Sequence, residues 1–326
     1  MPRPASGVCP EGLHHITAIT ADAPRNVEFY ARTLGLRLVK KTVNFDQPDV
    51  YHLYYGDEVG AAGSILTFFE LPGAQPGRHG DGMVHTIEWR VGSTESLAFW
   101  SDRLAAAGVE VSTPDGGGDA PPRRLAFADP EGLRHELVAV AVPDAPLVAH
   151  ADDVPPKHAL RGFEGVSAYA ADQSRSTGLL ERLGFVPGAA AGSWTARGEE
   201  RHAHLLFEPS PGRGVPGAGT IHHVAWSLAD DAELEHFRAL AVEGGAQPTP
   251  IIDRQYFHSV YFRMPGHTPQ AGPGVLFELA SRDIGFDVDE PRESLGSALK
   301  LPAQYESQRE RIERVLTPIV NPRQVS

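Results

Sequence analysis

Hydrophobic and polar positions alternate in two matching stretches near opposite ends of the chain, and both stretches carry a histidine pair. Residues 12–20 read Gly-Leu-His-His-Ile-Thr-Ala-Ile-Thr, and residues 219–227 read Gly-Thr-Ile-His-His-Val-Ala-Trp-Ser. Alternation of this kind predicts half-buried β-strands. Because successive side chains of a strand point to opposite faces, only one histidine of each pair can face a shared site.

The large apolar side chains of the second strand indicate which histidine faces the site. His222 shares its face with three of them, namely Val224, Trp226 and Leu228. His223 lies on the smaller and more polar face, as His15 does beside Thr17 in the first strand. If the apolar face packs on a helix, His15 and His223 face the cavity.

One order of elements recurs four times along the chain, with a strand, an amphipathic helix and then further strands. In the first repeat the helix begins near Asp22, has Pro24 in its first turn and ends at Gly35. The repeats cover residues 12–71, 83–140, 162–208 and 219–280, and the third is the shortest. Repetition of one supersecondary unit predicts an α+β fold of four βαβββ modules.

A Pro- and Asp-rich segment, residues 143–161, separates the second module from the third. We interpret it as a linker between an N-terminal pair of modules in residues 12–142 and a C-terminal pair in residues 162–280. Residues 281–326 belong to no repeat. This C-terminal extension contains one predicted helix, over residues 305–316, that can pack on the core or over the mouth of the site.

The spacing of polar residues relates the first module to the fourth. His15 and Glu70 are 55 positions apart, and so are His223 and Glu278. We therefore expect modules 1 and 4 to face each other around a shared metal, with modules 2 and 3 forming a metal-free barrel. The middle modules keep less of this histidine–glutamate pattern. In the second module His85 and Glu136 take the two positions, and in the third module Gly165 takes the histidine position and Glu208 the glutamate position.

Glu278 lies among apolar neighbours, in the stretch Leu276-Phe-Glu-Leu-Ala. A carboxylate in that setting is expected to be partly buried, and a buried charge requires a cation or strong hydrogen-bond donors. Two histidines and one carboxylate form the facial triad that leaves coordination positions of Fe(II) open. The sequence therefore predicts a metal site made by His15, His223 and Glu278.

Composition narrows the class of protein. The 326 residues are 41% hydrophobic and carry a formal net charge of −13 without a basic stripe, which argues against a nucleic-acid partner. No run of about 18 apolar residues exists, so we expect no membrane span. The N-terminus has no apolar signal segment and Cys9 is the only cysteine, so we expect a cytoplasmic protein.

Several longer stretches carry a family resemblance and follow one another in order along nearly the whole chain. They are Leu13-His-His-Ile-Thr, Thr33-Leu-Gly-Leu-Arg-Leu-Val-Lys-Lys-Thr-Val, Val50-Tyr-His-Leu-Tyr-Tyr-Gly-Asp-Glu, Ile221-His-His-Val-Ala, Asp253-Arg-Gln-Tyr-Phe-His-Ser-Val-Tyr-Phe-Arg, Val275-Leu-Phe-Glu and Asp283-Ile-Gly-Phe. The chain is similar to the vicinal oxygen chelate superfamily, which has the glyoxalase and extradiol dioxygenase fold. Within it, the chain resembles the ring-cleaving dioxygenases that act on hydroquinones.

The resemblance implies a fold, a metal and a reaction. The βαβββ modules would form two cupped-sheet barrels of the glyoxalase type. The second histidine of each pair and the late glutamate hold Fe(II) in that family, which implies His15, His223 and Glu278 as ligands here, with Mn(II) as the alternative ion. The partners would be a small aromatic diol and O2, and ring opening would give an unsaturated acid. A homo-oligomer is possible, and the resemblance does not decide the oligomeric state.

The resemblance also implies a polar substrate pocket, lined by His14, Thr17, His222, Arg254 and Tyr261. Arg254 would stabilise a phenolate, Tyr261 would donate a hydrogen bond to an oxygen intermediate, and His222 would shuttle protons. His258 is a further candidate. We interpret the other histidines considered as structural or surface residues, namely His52, His79, His135, His202 and His204.

Glu70 supports an alternative function. A fourth protein ligand at its position is typical of glyoxalase I-type isomerases or lyases, which use Zn or Ni. A third hypothesis is a non-catalytic small-molecule binding protein on the same fold. The longer dioxygenase-like stretches favour the dioxygenase, and Pro72 with the following loop predicts that Glu70 turns toward solvent or a basic partner.

Overall fold

Two eight-stranded sheets, each made from two βαβββ modules, organise the chain. The computed structural model describes residues 9–115, 122–265 and 274–324. Residues 1–8, on which the expectation of no signal segment rests, lie outside these ranges. Within them, no helix is both long enough and apolar enough to cross a membrane.

The first module shows how local sequence sets the elements. Asp22 caps the helix, because its side chain accepts a hydrogen bond from the backbone N–H of Arg25, and Pro24 occupies the first turn. Gly35 follows the helix with φ +68°, which favours glycine. The elements are β1 (Leu13–Thr20), α1 (Ala23–Val27), a π-helical continuation (Glu28–Thr33), β2 (Arg37–Val43), β3 (Tyr51–Gly56) and β4 (Ile65–Glu70).

The other three modules repeat this order with different helix lengths. Module 2 contains β5 (Val84–Val91), α2 (Thr94–Ala106), β6 (Val111–Ser112), β7 (Arg124–Ala128) and β8 (Arg134–Ala139). Module 3 contains β9 (Phe163–Ala170), α3 (Ser174–Arg182), β10 (Val186–Pro187), β11 (Ser193–Arg197) and β12 (His202–Pro209). Module 4 contains β13 (Ile221–Leu228), α4 (Asp231–Glu243), β14 (Ile252–Asp253), β15 (His258–Arg263) and β16 (Leu276–Ser281).

The modules do not pair as first with second and third with fourth. One sheet has the order β14-β15-β16-β13-β1-β4-β3-β2, and the other has the order β10-β11-β12-β9-β5-β8-β7-β6. Strands β1 and β13 are antiparallel with Ile16 opposite Val224, and β5 and β9 are antiparallel with Ile87 opposite Val166. Module 1 therefore shares a sheet with module 4, and module 2 with module 3. The predicted α+β fold of two cupped sheets is confirmed.

The apolar face of each central strand is buried against the helices. Trp226 on β13 and Phe237 on α4 have no exposed surface, and neither have Trp89 on β5 and Trp100 on α2. Burying an aromatic side chain of this size contributes about 1.5–3 kcal/mol. Because the apolar face of each central strand packs on the helices, the opposite and more polar face lines the concave side of the sheet.

The remaining segments pack against this framework, and Leu160 and Ile312 are part of its buried core. Residues 143–161 form no helix or named strand, only turns and one bridge between Ala151 and Val154. The C-terminal extension has short 3-10 turns at Phe286–Val288, Arg292–Ser294, Ala303–Gln308 and Pro322–Gln324, and a helix, α5 (Arg309–Val315). The Tyr305 hydroxyl donates a 2.7 Å hydrogen bond to the carbonyl of Phe45. The extension thereby contacts the loop between β2 and β3.

Candidate metal centre and substrate cavity

Three potential ligand atoms converge on the concave side of the first sheet. The Nε2 atoms of His15 and His223 lie 3.3 Å apart, and Oε2 of Glu278 lies 3.1 Å from the first and 2.9 Å from the second. Ligands about 2.1 Å from one ion and about a right angle apart are separated by about 3.0 Å. The triangle therefore has the dimensions of one face of an octahedral site.

Strand register brings the three side chains together. Strands β1 and β13 run antiparallel, and His15 lies opposite Ala225. In the parallel pair of β13 and β16, Ala225 also lies opposite Glu278. Since side chains two residues apart share a face, Glu278 points to the same side as His223. All three side chains are buried.

Glu278 has the environment of a carboxylate that binds a cation. Its Oε1 accepts a hydrogen bond from the Ser259 hydroxyl. Its Oε2 has no hydrogen-bond partner among the described residues, although two ring nitrogens lie close to it. Burial alone would raise the pKa of this carboxyl, but the His15 and His223 rings outweigh it and hold the pKa well below the usual range. A divalent cation would satisfy the orphaned oxygen, so the residues fit such an ion.

His14 fixes the tautomer of His15. Its Nε2 lies 3.0 Å from the carbonyl oxygen of Ser281, which can only accept, so this nitrogen carries the hydrogen. Burial lowers the pKa of His14 to about 3, so the ring is neutral and its Nδ1 is an acceptor. The Nδ1 of His15 lies 2.9 Å away and must donate. His15 is thus left with a lone pair on Nε2, the atom that faces Glu278.

His222 makes the corresponding contact in module 4. Its Nδ1 lies 2.8 Å from Nδ1 of His223. With a metal on Nε2 of His223, the Nδ1 of His223 carries the hydrogen and donates to His222. The neutral His222 ring then carries its own hydrogen on Nε2. In this tautomer Nε2 of His222 can donate a hydrogen bond into the cavity, and the proton-shuttle role that the resemblance implies stays a prediction.

A cavity of about 520 Å³, the main cavity, opens from the candidate metal centre. Four of the five predicted pocket residues line it, namely Thr17, His222, Arg254 and Tyr261. The expectation for His14 was wrong, because this side chain lies behind His15 and bonds to the Ser281 backbone. His258 does not line the main cavity either, and its Nδ1 lies 2.7 Å from Asp231 Oδ1.

Tyr261 and Arg254 form one polar unit in the wall of the main cavity. The Nε of Arg254 donates a 3.2 Å hydrogen bond to the Tyr261 hydroxyl, and its guanidinium lies 5.2 Å from the centre of the Tyr261 ring. Burial, and then the charge of Glu278, raise the pKa of Tyr261 well above its usual value. The hydroxyl therefore keeps its proton at neutral pH and can donate it in a hydrogen bond.

His52 was interpreted as structural or surface, and this was wrong in part because it lines the main cavity. Its Nε2 lies 2.8 Å from Thr67 Oγ1, which lies 3.1 Å from Thr17 Oγ1. Its Nδ1 lies 2.9 Å from the Tyr54 hydroxyl. The alternation of β3, Tyr51-His-Leu-Tyr, was the available signal, since it places His52 and Tyr54 on one face.

Glu70 lies away from the candidate metal centre. It is opposite Thr20 at the end of β4, and its Oε1 accepts a 3.1 Å hydrogen bond from the backbone N–H of Ala23 in the first turn of α1. The expectation that it turns toward solvent or a basic partner was wrong, because the side chain is buried on backbone donors. A carboxylate at a helix N-terminus is stabilised by the free N–H groups and the helix dipole.

In the second sheet, the sequence spacing assigned two residues to the wrong strand positions, namely His85 in module 2 and Glu208 in module 3. Taking Ile87 and Val166 as the counterparts of Ile16 and Val224, Thr86 rather than His85 holds the histidine position of module 2. His85 instead stacks on Tyr169, with ring centres 3.8 Å apart. In module 3 the glutamate position, opposite Ser167, belongs to Leu206 rather than to Glu208.

Polar groups in the second sheet bind one another. Glu136 does lie at the predicted position, opposite Glu88, and Arg124 contacts both carboxylates, at 2.5 Å and 3.4 Å respectively. A group with metal-ligand spacing also occurs there, made by Glu164, His202 and His204. Arg90 already pairs with Glu164 at 2.7 Å, so a cation occupies part of that cluster.

The comparisons with known proteins agree with this architecture. The sequence profile of the Glyoxalase/Bleomycin resistance protein/Dioxygenase superfamily matches residues 12–137. MhqO of Bacillus subtilis (strain 168), provisionally named a ring-cleaving dioxygenase, is 38% identical over 94% of this chain and 96% of its own. The chlorohydroquinone/hydroquinone 1,2-dioxygenase of Sphingobium indicum is 32% identical over 95% of this chain and 97% of its own.

A solved structure agrees as well. The crystal structure of a provisionally named dioxygenase from Bacillus subtilis subsp. subtilis str. 168 superposes with a TM-score of 0.85 at 36% identity. The match covers 96% of this chain and 98% of that one, so it includes both sheets. The chain therefore belongs to the glyoxalase, bleomycin resistance protein and dioxygenase superfamily and, within it, to the family of these ring-cleaving dioxygenases.

Proposed function

We propose that the protein is an Fe(II)-dependent dioxygenase that opens the ring of a hydroquinone-like or catechol-like aromatic diol with O2. The observation that carries the proposal is the three-residue cluster of His15, His223 and Glu278 at the main cavity. Within the described residues this cluster has three members, so positions of a bound ion stay open for diol and O2. Names of relatives with 32–38% identity support the same reaction class.

The bound Fe(II) would supply the redox coupling between the electron-rich ring and O2, which an amino-acid side chain lacks. The residues of the chain position the substrate. Arg254 places a cation beside the Tyr261 hydroxyl and stabilises an ionised oxygen of the diol. Tyr261 remains protonated and donates a hydrogen bond toward oxygen atoms in the cavity.

Three further contacts orient groups at or behind the cavity wall. His14 holds a hydrogen on Nδ1 of His15 and so leaves its Nε2 free for the ion. Thr67 and His52 hold the hydroxyls of Thr17 and Tyr54 in fixed directions. The diol would therefore meet preorganised hydrogen-bonding groups, which lowers the reorganisation that the reaction requires.

The isomerase alternative requires a fourth ligand, and Glu70 does not provide it in this structure. Its carboxylate is engaged by the backbone N–H of Ala23, and it is not a member of the ligand cluster. The third hypothesis, a non-catalytic binding protein, does not account for a buried carboxylate oxygen left without a hydrogen-bond partner.

The test is oxygen consumption by protein loaded anaerobically with Fe(II). Hydroquinone, chlorohydroquinone and catechol are compared at equal concentration with an oxygen electrode, and Mn(II)-, Zn- and Ni-loaded samples run in parallel. We expect O2 consumption and loss of the aromatic absorbance in equal amounts, with both atoms of labelled O2 in the product. Isomerisation of a thiol hemithioacetal by the Zn or Ni form, without O2 consumption, would favour the isomerase instead.

A further inference from the structure

A second cavity, of about 420 Å³, adjoins the main cavity. Four residues line both, namely Ile19, His222, His223 and Leu276. His222 therefore forms part of the wall between the two spaces, next to the candidate ligand His223. A molecule formed at the metal centre has this second space within reach on the far side of His222.

The two segments that connect modules 1 to 2 and 3 to 4 frame the second cavity. They pair as a short antiparallel ribbon, in which Arg78 and Val215 exchange backbone hydrogen bonds of 2.8 and 2.7 Å. The segments approach so closely that a Cβ on Gly80 would lie 2.2 Å from the backbone nitrogen of Gly214. Such close backbone contact holds the walls in place, so the cavity is preformed.

Two arginines, Arg213 and Arg263, line the second cavity. Within the described part of the chain, neither makes an ion pair with a carboxylate, and the Arg263 guanidinium donates a 3.0 Å hydrogen bond to the Gly274 carbonyl. Partial burial lowers the pKa of Arg263, with no neighbouring carboxylate to offset it. Asp81 lines the same cavity, and its Oδ1 accepts a 2.6 Å hydrogen bond from the backbone N–H of Ala171. Among the described residues, the second cavity thus presents two arginines without an ion-pair partner and one carboxylate, which a backbone N–H holds.

The proposed reaction creates an anion from a neutral molecule. Both atoms of O2 enter the product as one carbon–carbon bond of the ring breaks, and no other oxidant or reductant is consumed. Cleavage beside a hydroxylated carbon turns that carbon into a carboxylic acid and its neighbour into an aldehyde. A carboxyl group of this kind has a pKa of about 4, so the acid loses its proton at neutral pH.

We propose that the second cavity binds the carboxylate of the ring-opened product through Arg213 and Arg263. The inference rests on the proposed function, because ring opening is what forms the carboxylate. A guanidinium binds a carboxylate with charge-assisted hydrogen bonds, whereas a neutral diol gains little from it. The site would draw the product past His222 and leave the main cavity to the next substrate molecule.

The test is binding of cis,cis-muconate, an unsaturated dicarboxylate, to the metal-loaded full chain by isothermal titration calorimetry. R213Q and R263Q should each weaken muconate binding about 10-fold, as expected for the loss of a charge-assisted hydrogen bond. R25Q removes an exposed arginine on α1 and should leave the affinity within twofold. Unchanged muconate affinity in both R213Q and R263Q would overturn the proposal.

Two further measurements are needed. One distinguishes a carboxylated substrate from the carboxylated product, and the other distinguishes failure of this site from failure of the proposed function. If R213Q and R263Q raise the KM for 2,5-dihydroxybenzoate but do not change muconate binding, the arginines serve a carboxylated substrate and the product proposal is wrong. Muconate binding needs no turnover. Arginine-dependent binding without O2 consumption on any diol would therefore count against the proposed function, while loss of arginine dependence counts against this site alone.

Discussion

Thr67 holds in module 1 the strand position that Glu278 holds in module 4. Thr67 lies opposite Thr17, two residues after His15, and Glu278 lies opposite Ala225, two residues after His223. Module 4 therefore carries a candidate metal ligand at this position, whereas module 1 carries a hydroxyl. The site is asymmetric as a result, with two histidines and one carboxylate.

Glu278→Gln should remove the metal while preserving the fold. The amide keeps the size of the side chain but loses the charge that compensates a divalent cation, so we expect little or no bound metal after dialysis. Elemental analysis of the purified variant measures this directly. A Glu278→Gln protein that retains one equivalent of metal would rule out the ligand assignment.

Glu70→Gln should keep the metal and cost stability instead. The change weakens the hydrogen bond from Ala23 and the interaction with the N-terminus of α1, so the free energy of unfolding should fall by about 1 kcal/mol. Urea denaturation measures the loss, and metal content serves as the internal control. Loss of metal in this variant would revive the isomerase alternative.

His14→Ala should weaken metal binding without removing a ligand. His15 then loses the acceptor that fixes its tautomer, and removing such an outer partner lowers metal affinity by about 10–100-fold. Competition with a chelator gives the affinity, and nitrogen chemical shifts of His15 in the metal-free protein report the tautomer. His236→Ala, on the exposed face of α4, is the control. An unchanged tautomer would contradict the assignment.

Tyr261→Phe should lower kcat far more than it changes substrate affinity. The variant keeps the ring and removes the hydroxyl that Arg254 contacts, and loss of a preorganised donor costs about 100-fold in kcat. Stopped-flow oxygen consumption separates kcat from KM. Tyr169→Phe in the second sheet is the matched control, since its hydroxyl contacts Arg134 and neither residue lines the main cavity. A wild-type kcat in Tyr261→Phe would exclude this role.

The Glu164 cluster should make the protein sensitive to acid. Burial would raise the pKa of Glu164, but His202, His204 and Arg90 outweigh it and hold the pKa well below the usual value. A carboxyl whose folded pKa is depressed contributes stability above its unfolded pKa of about 4.3, and that contribution is lost as the pH falls toward the folded pKa.

Glu164→Gln should therefore flatten the pH dependence of stability below about pH 4.3. The variant should also be less stable at neutral pH, because Arg90 is left buried with one carboxylate fewer. Urea denaturation between neutral and acid pH gives both quantities. Glu235→Gln on the exposed face of α4 provides the reference slope. Equal slopes in the two variants would show that Glu164 does not control acid stability.

Much of the fold could be predicted because its signals are local. The alternation of β1 and β13, the capping by Asp22 and the stop at Gly35 each depend on a few neighbouring residues, and the structure contains all of them. The repeat of one βαβββ unit then limited the architecture to paired sheets. The predicted pairing of modules 1 and 4 also matches the observed strand order.

The sequence by itself determined which face of each strand carries His15 and His223, because side-chain direction within a strand follows a fixed period of two. Only the tertiary structure decided which residues of different strands lie opposite each other. Register depends on loop lengths, bulges and backbone pairing between distant segments, so equal spacing did not make Glu70 equivalent to Glu278. The same long-range packing brought His52 into the main cavity and placed His14 on the Ser281 carbonyl.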